Sequence, residues 1–274
     1  RPCWACGSRH CHMVTITDGP YRGMKVEEPE YEMFAAMGPL IGNTDPAETL
    51  VLANLMTLLG LEGNESGFLI AMLIELYEKG VLTKEDTEGL ELTWGNTAAI
   101  RTLLERMARR EGAFADMLAE GIKHAAERLG PEAKECAIYT QKGHAPRTHD
   151  HRGMWREMFD TSTADVGTYE SGYLGPKDPD THGLKDRFSP EEVSTHVAKA
   201  KGRRQFEDVA GSCTFCTRAR LATIVEAFNL VTGWDFTVKD AQDVGYRVSN
   251  LMRAFNIRHG VPIEREQPSP RWCS

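Results

Sequence analysis

The chain has 274 residues, of which 41% are hydrophobic and 26% are charged, and its formal net charge is −8. A chain of this length can bury a full hydrophobic core, and it predicts two domains. The acidic balance and the lack of any basic run argue against nucleic acid as a partner. The longest apolar run, residues 68–74, ends at Glu75 and is too short to span a bilayer.

The cysteines and the start of the chain indicate its cellular context. There are seven cysteines, an odd number, and five of them lie in two clusters. This usage indicates metal or redox chemistry and not a secreted disulfide framework. The chain starts without Met, directly in a cysteine-rich loop, which predicts a portion of a longer protein. No secretory leader is recognisable, which predicts a cytoplasmic location.

Helical signals dominate the chain after its first loops. Residues 13–43 predict loops and short extended pieces, because glycine and proline recur there. Asp45, Pro46 and Glu48 then form a capping-box pattern with proline at the first helical position. The predicted helices run from Asp45 to Gly60, from Ser66 to Gly80, from Thr97 to Arg110, from Ala113 to Leu129, from Ser189 toward Phe206, and over 217–231 and 238–257.

Residues 131–188 differ from the rest of the chain, because they are rich in Gly, Pro, Asp, His and Thr and show little periodicity. A long irregular stretch of this kind is usually functional or mobile. It predicts a domain boundary near residue 138, with one domain over 1–138 and a second over 139–274. Almost no alternating strand pattern is found. The sequence therefore predicts a mainly α protein of two helical lobes with long irregular loops.

A cluster of three thiols opens the chain. Cys3, Cys6 and Cys11 are spaced two and then four residues apart, which suits a compact set of soft metal ligands. Four thiolates complete either a tetrahedral zinc site or an iron–sulfur cluster. The fourth thiolate must come from elsewhere in the chain, and we predict Cys213, with Cys216 as a competitor.

The spacing of these cysteines favours an iron–sulfur cluster over zinc. Both metals select thiolate ligands, so the residue type does not separate them. Zinc ribbons, however, usually pair two CxxC knuckles within a few tens of residues. Here the partner thiol follows about 200 residues later. Structural zinc stays open as the alternative.

Short charged motifs lie near both cysteine clusters. Asp208 and Gly211 precede Cys213, and an Asp there can accept hydrogen bonds from ring N–H groups of a heterocycle, while Gly permits close backbone approach. The alternative is an Asp that caps a turn. The pair Arg203-Arg204 could hold a phosphate or be a solvated basic pair.

Three carboxylates follow the first cluster, on Glu28, Glu30 and Glu32. Carboxylates near a buried metal can have raised pKa values and serve as acid or base. The alternative is a solvated acidic loop.

These motifs together resemble the tungsten-dependent aldehyde ferredoxin oxidoreductase family, specifically its second and third, mainly helical, domains. The three-cysteine cluster resembles that family's cluster loop, and residues 28–32 resemble its Gly-Pro-Glu-Tyr-Glu stretch beside the metal. Residues 59–62 resemble the first pterin-binding motif, and residues 208–213 resemble the second, with its terminal cluster ligand. The correspondences run in order over nearly all 274 residues.

The resemblance implies a cofactor set. It implies a tungsten (or molybdenum) ion held by two pterin dithiolenes, a tungstopterin, beside a 4Fe–4S cluster. The implied cluster ligands are Cys3, Cys6, Cys11 and Cys213. The implied pterin-binding residues are Gly60, Leu61, Glu62, Asp208 and Gly211.

The resemblance also implies catalytic positions. Glu32, or else Glu30, would be the carboxylate near the metal. The family's active-site His position falls on Glu170, and a carboxylate in place of an imidazole changes both charge and proton affinity at neutral pH. Substrates other than aldehydes, such as an aromatic acyl-CoA, therefore stay open.

The implied reaction is a two-electron oxidation of an aldehyde to a carboxylate, or its reverse, by an anaerobic enzyme. Electrons would pass through the cluster to ferredoxin or another electron-transfer protein. The family's N-terminal β domain is missing from this chain, and a homodimer is one assembly that the resemblance allows. Two other classes compete: a zinc-bound or metal-free helical interaction module, and a small iron–sulfur electron carrier without pterin.

Overall fold

The computed structural model describes residues 3–4, 6–9, 12–165, 184–217 and 220–274. Its secondary structure is mostly helical, which confirms the predicted fold class. Within the described residues one small sheet forms, in which β1 (Met13–Thr15) pairs antiparallel with β2 (Lys25–Glu27). Every helix in the described part is too short or too polar to cross a lipid bilayer.

The chain divides into two compact units. The first unit comprises residues 1–4, 9–149 and 268–274, and the second comprises residues 5–8 and 150–267. These are units of packing, and the domain boundary that the sequence predicts near residue 138 stays a prediction.

Most α-helices of the first unit follow one another along the chain. They are α1 (Tyr31–Met37), α2 (Pro46–Leu59), α3 (Gly63–Glu78), α4 (Thr97–Arg109), α5 (Ala113–Leu118), α6 (Ile122–Leu129) and α7 (Pro131–Cys136), and the final short helix of the chain, Pro270–Cys273, also belongs to this unit.

The second unit contains the remaining helices. They are α8 (Trp155–Thr163), α9 (Pro190–Ala200), α10 (Arg203–Val209), α11 (Thr214–Thr217), α12 (Leu221–Thr232) and α13 (Val238–Arg258). The final helix of the chain, Pro270–Cys273, is accordingly α14.

Helix α3 forms the centre of the core of the first unit. It contacts α1, α2, α6 and α7, and its apolar side chains are buried along most of its length. Each fully buried Leu, Ile or Met side chain contributes about 1.5–3 kcal/mol relative to exposure. The fully buried side chains of α3 include Leu69, Ile70, Met72, Leu73, Ile74 and Leu76. The longest apolar run of the sequence, residues 68–74, therefore lies in a core helix.

Helix α2 has the predicted ends but not the complete capping box. The Asp45 carboxylate accepts hydrogen bonds from the backbone N–H groups of Ala47 and Glu48, and Gly60 ends the helix in the left-handed conformation. The Glu48 side chain does not return to the cap, because its carboxylate accepts a hydrogen bond from Arg101 Nη2 at 3.0 Å.

Three predicted helix boundaries are wrong for identifiable reasons. Helix α3 begins at Gly63 and not at Ser66, because the side chain of Glu62, four residues before Ser66, caps the helix. The helix predicted over 113–129 is two helices, α5 and α6, which are interrupted at Gly121 with φ +96°. The helix predicted from Ser189 toward Phe206 likewise breaks at Gly202, with φ +91°.

In the second unit, α10 and α13 pack with direct backbone contact. Gly245 lies in the middle of α13, and a Cβ atom at this position would overlap the backbone carbonyl of Gly202. A Cβ on Gly202 would meet Tyr246 N at 2.8 Å. Two glycines are therefore needed where the chain enters α10. A small core follows beside them, with Phe206, Leu221, Ile224, Val225 and Ala241 buried together.

We predict that Gly245→Ala destabilises the protein. Alanine is the better helix former by about 1 kcal/mol, but its Cβ must displace rigid backbone, and overpacking of this kind costs about 1–3 kcal/mol. Thermal unfolding should show a lower Tm. Gly153→Ala is the matched control, because no atom lies within 4 Å of its Cβ position and its φ is not positive. An increase in Tm for Gly245→Ala would contradict the close packing of α10 on α13.

Candidate metal and cofactor site

The N-terminal cysteines have different environments. Cys3 is exposed and Cys6 is half-buried, and Cys6 belongs with the second unit. Cys11 lies outside the described residues, so the predicted set of three N-terminal thiols is described only through its first two members.

Cys213 directly precedes α11, and Cys216 lies on α11 one helical turn later. Cys216 N–H donates to the carbonyl of Cys213 at 2.9 Å, and Thr217 N–H donates to the same carbonyl at 3.0 Å. Both thiols are exposed. The three-residue step places their side chains on the same side of the turn, so either thiol can face the same partner.

Cys6 is a neighbour of both Cys213 and Cys216 within the second unit. This arrangement affects the pKa of the Cys216 thiol. A hydrogen bond from the backbone N–H of Ser8 lowers that pKa. Partial loss of water and the nearby Cys6 and Cys213 thiols outweigh this bond, so the pKa of Cys216 is raised overall. Like charges close together disfavour the charged form. Cys6 and the CxxC that begins at Cys213 are therefore neighbours, and the metal site that the sequence predicts for them stays a prediction.

The spacing of the described thiols bears on which metal they suit. A tetrahedral zinc ion with Zn–S distances of about 2.3 Å needs sulfurs about 3.8 Å apart. Within the described residues, no three cysteines bring their sulfurs within 4.8 Å of one another. The described residues therefore hold no group of three thiolates at the spacing of a zinc site.

The first predicted pterin loop ends one helix and caps the next. Gly60 has φ +72°, its N–H bonds to the carbonyl of Thr57 at 3.2 Å, and Leu61 N–H bonds to the carbonyl of Met56 at 3.0 Å. This pair of bonds is a Schellman motif. The exposed Glu62 follows at once, and its carboxylate accepts from the backbone N–H of Glu65 at 2.5 Å to cap α3.

The second predicted pterin loop has the same backbone geometry. Gly211 has φ +67°, its N–H bonds to the carbonyl of Asp208 at 3.0 Å, and Ser212 N–H bonds to the carbonyl of Glu207 at 3.1 Å. The Asp208 side chain is exposed and makes no hydrogen bond to any described residue. Its carboxylate is therefore not the cap of this turn and is accessible to a ligand.

The three carboxylates after the first cluster have separate environments. Glu28 bonds to His12 Nδ1 at 2.5 Å, and Glu30 is exposed at the start of α1. Glu32 is buried, and Arg147 donates to its carboxylate through Nε at 2.9 Å and through Nη2. The structure therefore does not gather these groups into one acidic cluster. Glu170, the other predicted catalytic residue, lies outside the described residues.

Glu65, in the first turn of α3 directly after the first predicted pterin loop, is an important residue that the sequence analysis missed. Its carboxylate accepts from the backbone N–H of Ile122 at 2.6 Å and from that of Ala145 at 2.5 Å. Burial raises the pKa of Glu65, although these two hydrogen bonds oppose the shift. The partners lie 57 and 80 residues further along the chain, so no local pattern could have revealed them.

Comparison with known proteins identifies relatives of this chain. The family described as "Aldehyde ferredoxin oxidoreductase, domains 2 & 3" matches residues 1–274. The tungsten-containing aldehyde ferredoxin oxidoreductase of Pyrococcus furiosus is 30% identical, over 99% of this chain and 44% of the relative. The enzyme of the same name from Thermococcus kodakarensis is 29% identical over the same shares.

Two further similar proteins have other names. The WOR-like subunit of an aliphatic sulfonate oxidoreductase from Pyrococcus furiosus is 30% identical, over 89% of this chain and 37% of the relative. A solved structure titled "Active site complex BamBC of Benzoyl Coenzyme A reductase in complex with 1,5 Dienoyl-CoA" superposes with a TM-score of 0.76 at 18% identity, over 98% of this chain and 46% of that chain. This last likeness shows the fold. The chain spans less than half the length of all these relatives.

We predict that Glu65→Ala destabilises the protein. The substitution leaves two backbone N–H groups without their acceptor, and each unsatisfied group costs about 1–3 kcal/mol. Urea unfolding should show a lower midpoint. Glu85→Ala is the matched control, since Glu85 is exposed and its carboxylate bonds to no described residue; its effect should stay within about 0.5 kcal/mol.

The pH dependence adds a second readout. A carboxyl whose pKa is raised by folding stabilises the fold most when protonated, and this contribution is lost as the pH rises through the raised value. The difference between wild type and Glu65→Ala should therefore be smaller at about pH 8 than at about pH 5. A difference that grows with pH would contradict the raised pKa.

Proposed function

This chain belongs to the aldehyde ferredoxin oxidoreductase family, and we propose that it is the cluster- and pterin-binding portion of a tungstopterin iron–sulfur oxidoreductase. The proposed reaction is oxidation of an aldehyde to a carboxylic acid, or its reverse, with electrons passed through a 4Fe–4S cluster to ferredoxin. Because the relatives are more than twice as long as this chain, we assign the remaining parts, including an N-terminal β domain, to the rest of the protein.

The observation that carries this proposal is the meeting of Cys6 with Cys213 and Cys216 in one unit. Thiols about 200 positions apart in the chain meet in one place, which a fold without a metal centre does not require. The thiolate donors fit an iron–sulfur cluster. We propose Cys3, Cys6, Cys11 and Cys213 as the residues that hold it.

The two Schellman loops support the proposed pterin sites. Each loop exposes a polar side chain beside a left-handed glycine, Glu62 after Gly60 and Asp208 before Gly211. Asp208 has a carboxylate that can accept ring N–H groups, whereas the carboxylate of Glu62 already caps α3. We therefore propose Asp208 as the side-chain anchor and the backbone around Gly60 and Leu61 as the other contact.

The bound metal would supply the two-electron chemistry and the cluster the single-electron transfer. The chain's own carboxylates would serve in charge and proton handling. Glu32 is held by the guanidinium of Arg147, so we propose that it supplies a fixed negative charge. Glu30 is exposed one residue before α1 and is the candidate for exchanging protons with water.

A second candidate function is the reduction or oxidation of a substrate other than an aldehyde. The likeness in fold to benzoyl-CoA reductase and the similarity to an aliphatic sulfonate oxidoreductase subunit favour it. We propose Glu170, at the position where the family resemblance predicts His, as the residue that separates the two candidates.

We predict that the full-length protein, purified without oxygen, contains about four Fe and one W or Mo per chain, the stoichiometry of one cubane cluster with one pterin-bound metal. Elemental analysis with zinc included is the measurement. Zinc alone would overturn the redox proposal and leave a structural site. Iron without tungsten or molybdenum would favour a small electron carrier.

We further predict that Cys213→Ser removes most of the bound iron and the broad visible absorption of the cluster, whereas Cys216→Ser retains both. The two thiols lie on the same turn beside Cys6, so each variant controls for disturbance of α11 by the other. The opposite pattern would make Cys216 the fourth ligand. Retention of iron in both single variants and loss only in the double variant would show that the thiols are interchangeable.

A further inference from the structure

A tyrosine and a histidine form a hydrogen-bonded pair beside Glu32, within the first unit. The Tyr31 hydroxyl oxygen lies 2.5 Å from Nε2 of His149. The two rings are parallel to within 9°, and their centroids are 5.4 Å apart. Tyr31 is the first residue of α1, and His149 follows 118 positions later in the chain. The packing of the unit therefore brings these two side chains together and holds them in one relative orientation.

Arg147 joins this pair to the Glu32 carboxylate. Its Nη2 donates to the Tyr31 hydroxyl oxygen at 3.0 Å, and its Nε donates to Glu32 at 2.9 Å. A guanidinium can only donate hydrogen bonds, so the phenol oxygen is the acceptor in its bond with Arg147. The phenol's own proton can then be given to Nε2 of His149. The bonds run in one direction, from the guanidinium to the phenol and from the phenol to the imidazole.

The pair is accessible from solvent, whereas Glu32 is not. The Tyr31 side chain belongs to a residue that is 58% exposed, and His149 is half-buried, but Glu32 is only 8% exposed and is held by Arg147. Oxidation of an aldehyde to a carboxylic acid consumes one water and releases two protons with the two electrons. A site for this reaction needs a base that takes up a proton, and the pair is the neighbouring group that can do so.

We propose that Tyr31 and His149 form a proton relay for this oxidation. The reacting water or aldehyde hydrate gives a proton to the Tyr31 oxygen while the phenol proton moves to Nε2 of His149. One substrate O–H bond breaks, one imidazole N–H bond forms, and Tyr31 is neutral before and after. The relay moves no electrons, which pass to the electron-transfer partner proposed above. This inference rests on the proposed function and adds a base to the same site.

Arg147 is a positioning residue in this relay. Its guanidinium fixes the phenol oxygen relative to Glu32. A fixed positive group also stabilises the negative charge that develops on the phenol oxygen as its proton leaves. The same side chain thus orients the relay and balances its charge.

The first test needs no turnover and uses the full-length protein with ¹⁵N-labelled histidine. The ¹⁵N NMR spectrum should show Nε2 of His149 as a hydrogen-bond acceptor, with the ring proton on Nδ1. Tyr31→Phe removes the donor and should shift the Nε2 resonance, whereas Tyr77→Phe should leave it unchanged, because the Tyr77 hydroxyl bonds to no described residue. A proton on Nε2 in the wild type, or no shift in Tyr31→Phe, would overturn the relay.

The second test is aldehyde oxidation by the full-length protein. Tyr31→Phe and His149→Gln should each lower kcat about 100-fold or more, with KM and metal content unchanged. Residues that act as a unit are non-additive, so the double variant should lose no more than the larger single effect. His124→Gln is the control, because His124 is exposed and bonds to no described residue.

Failure of the relay is distinguishable from failure of the proposed function. An inactive wild type without tungsten or molybdenum would defeat the proposed function and the relay with it. An active wild type whose kcat changes less than about threefold in Tyr31→Phe would defeat the relay alone. A double variant that loses the product of the two single effects would also show that Tyr31 and His149 do not act together.

Discussion

The carboxylate of Glu65 links three separate segments of the first unit. It joins the first turn of α3 to the start of α6 through the N–H group of Ile122, and to the segment after α7 through the N–H group of Ala145. Helix starts leave N–H groups without partners, and here one side chain satisfies two distant backbone donors. Because burial opposes its charge, this link is maintained only by precise placement of both donors.

The two proposed cofactor loops share one backbone geometry. Gly60 and Gly211 each end a helix in the left-handed conformation, and each is followed by a bond from the next residue back to the fifth carbonyl before it. This geometry reverses the chain tightly and exposes its backbone. Glu65 then fixes the helix that leaves the first loop. Cys213 follows the second loop, so a single local turn supports both a proposed pterin contact and a proposed cluster ligand.

The parts of the fold that the sequence predicted are those that local chemistry determines. Asp45 and Gly60 bound α2 as expected, because a cap and a left-handed glycine act within one turn. The breaks at Gly121 and Gly202 were missed because a glycine in a helical pattern is compatible with either continuation or interruption. At Gly202 the deciding factor is the close backbone contact with Gly245, and these two residues are distant in sequence.

The same distinction separates the predicted from the unpredicted parts of the site. The types and spacing of the cysteines predict a shared metal centre, since thiolate chemistry is a property of the residues themselves. The metal centre stays a prediction, and the structure shows that Cys6 lies beside Cys213 and Cys216. The partner of Glu32 was not predictable, because Arg147 lies 115 residues away. That partner changes what the carboxylate can do, because the guanidinium fixes its position and orientation. The proposed division between Glu32 and Glu30 follows from this difference in surroundings.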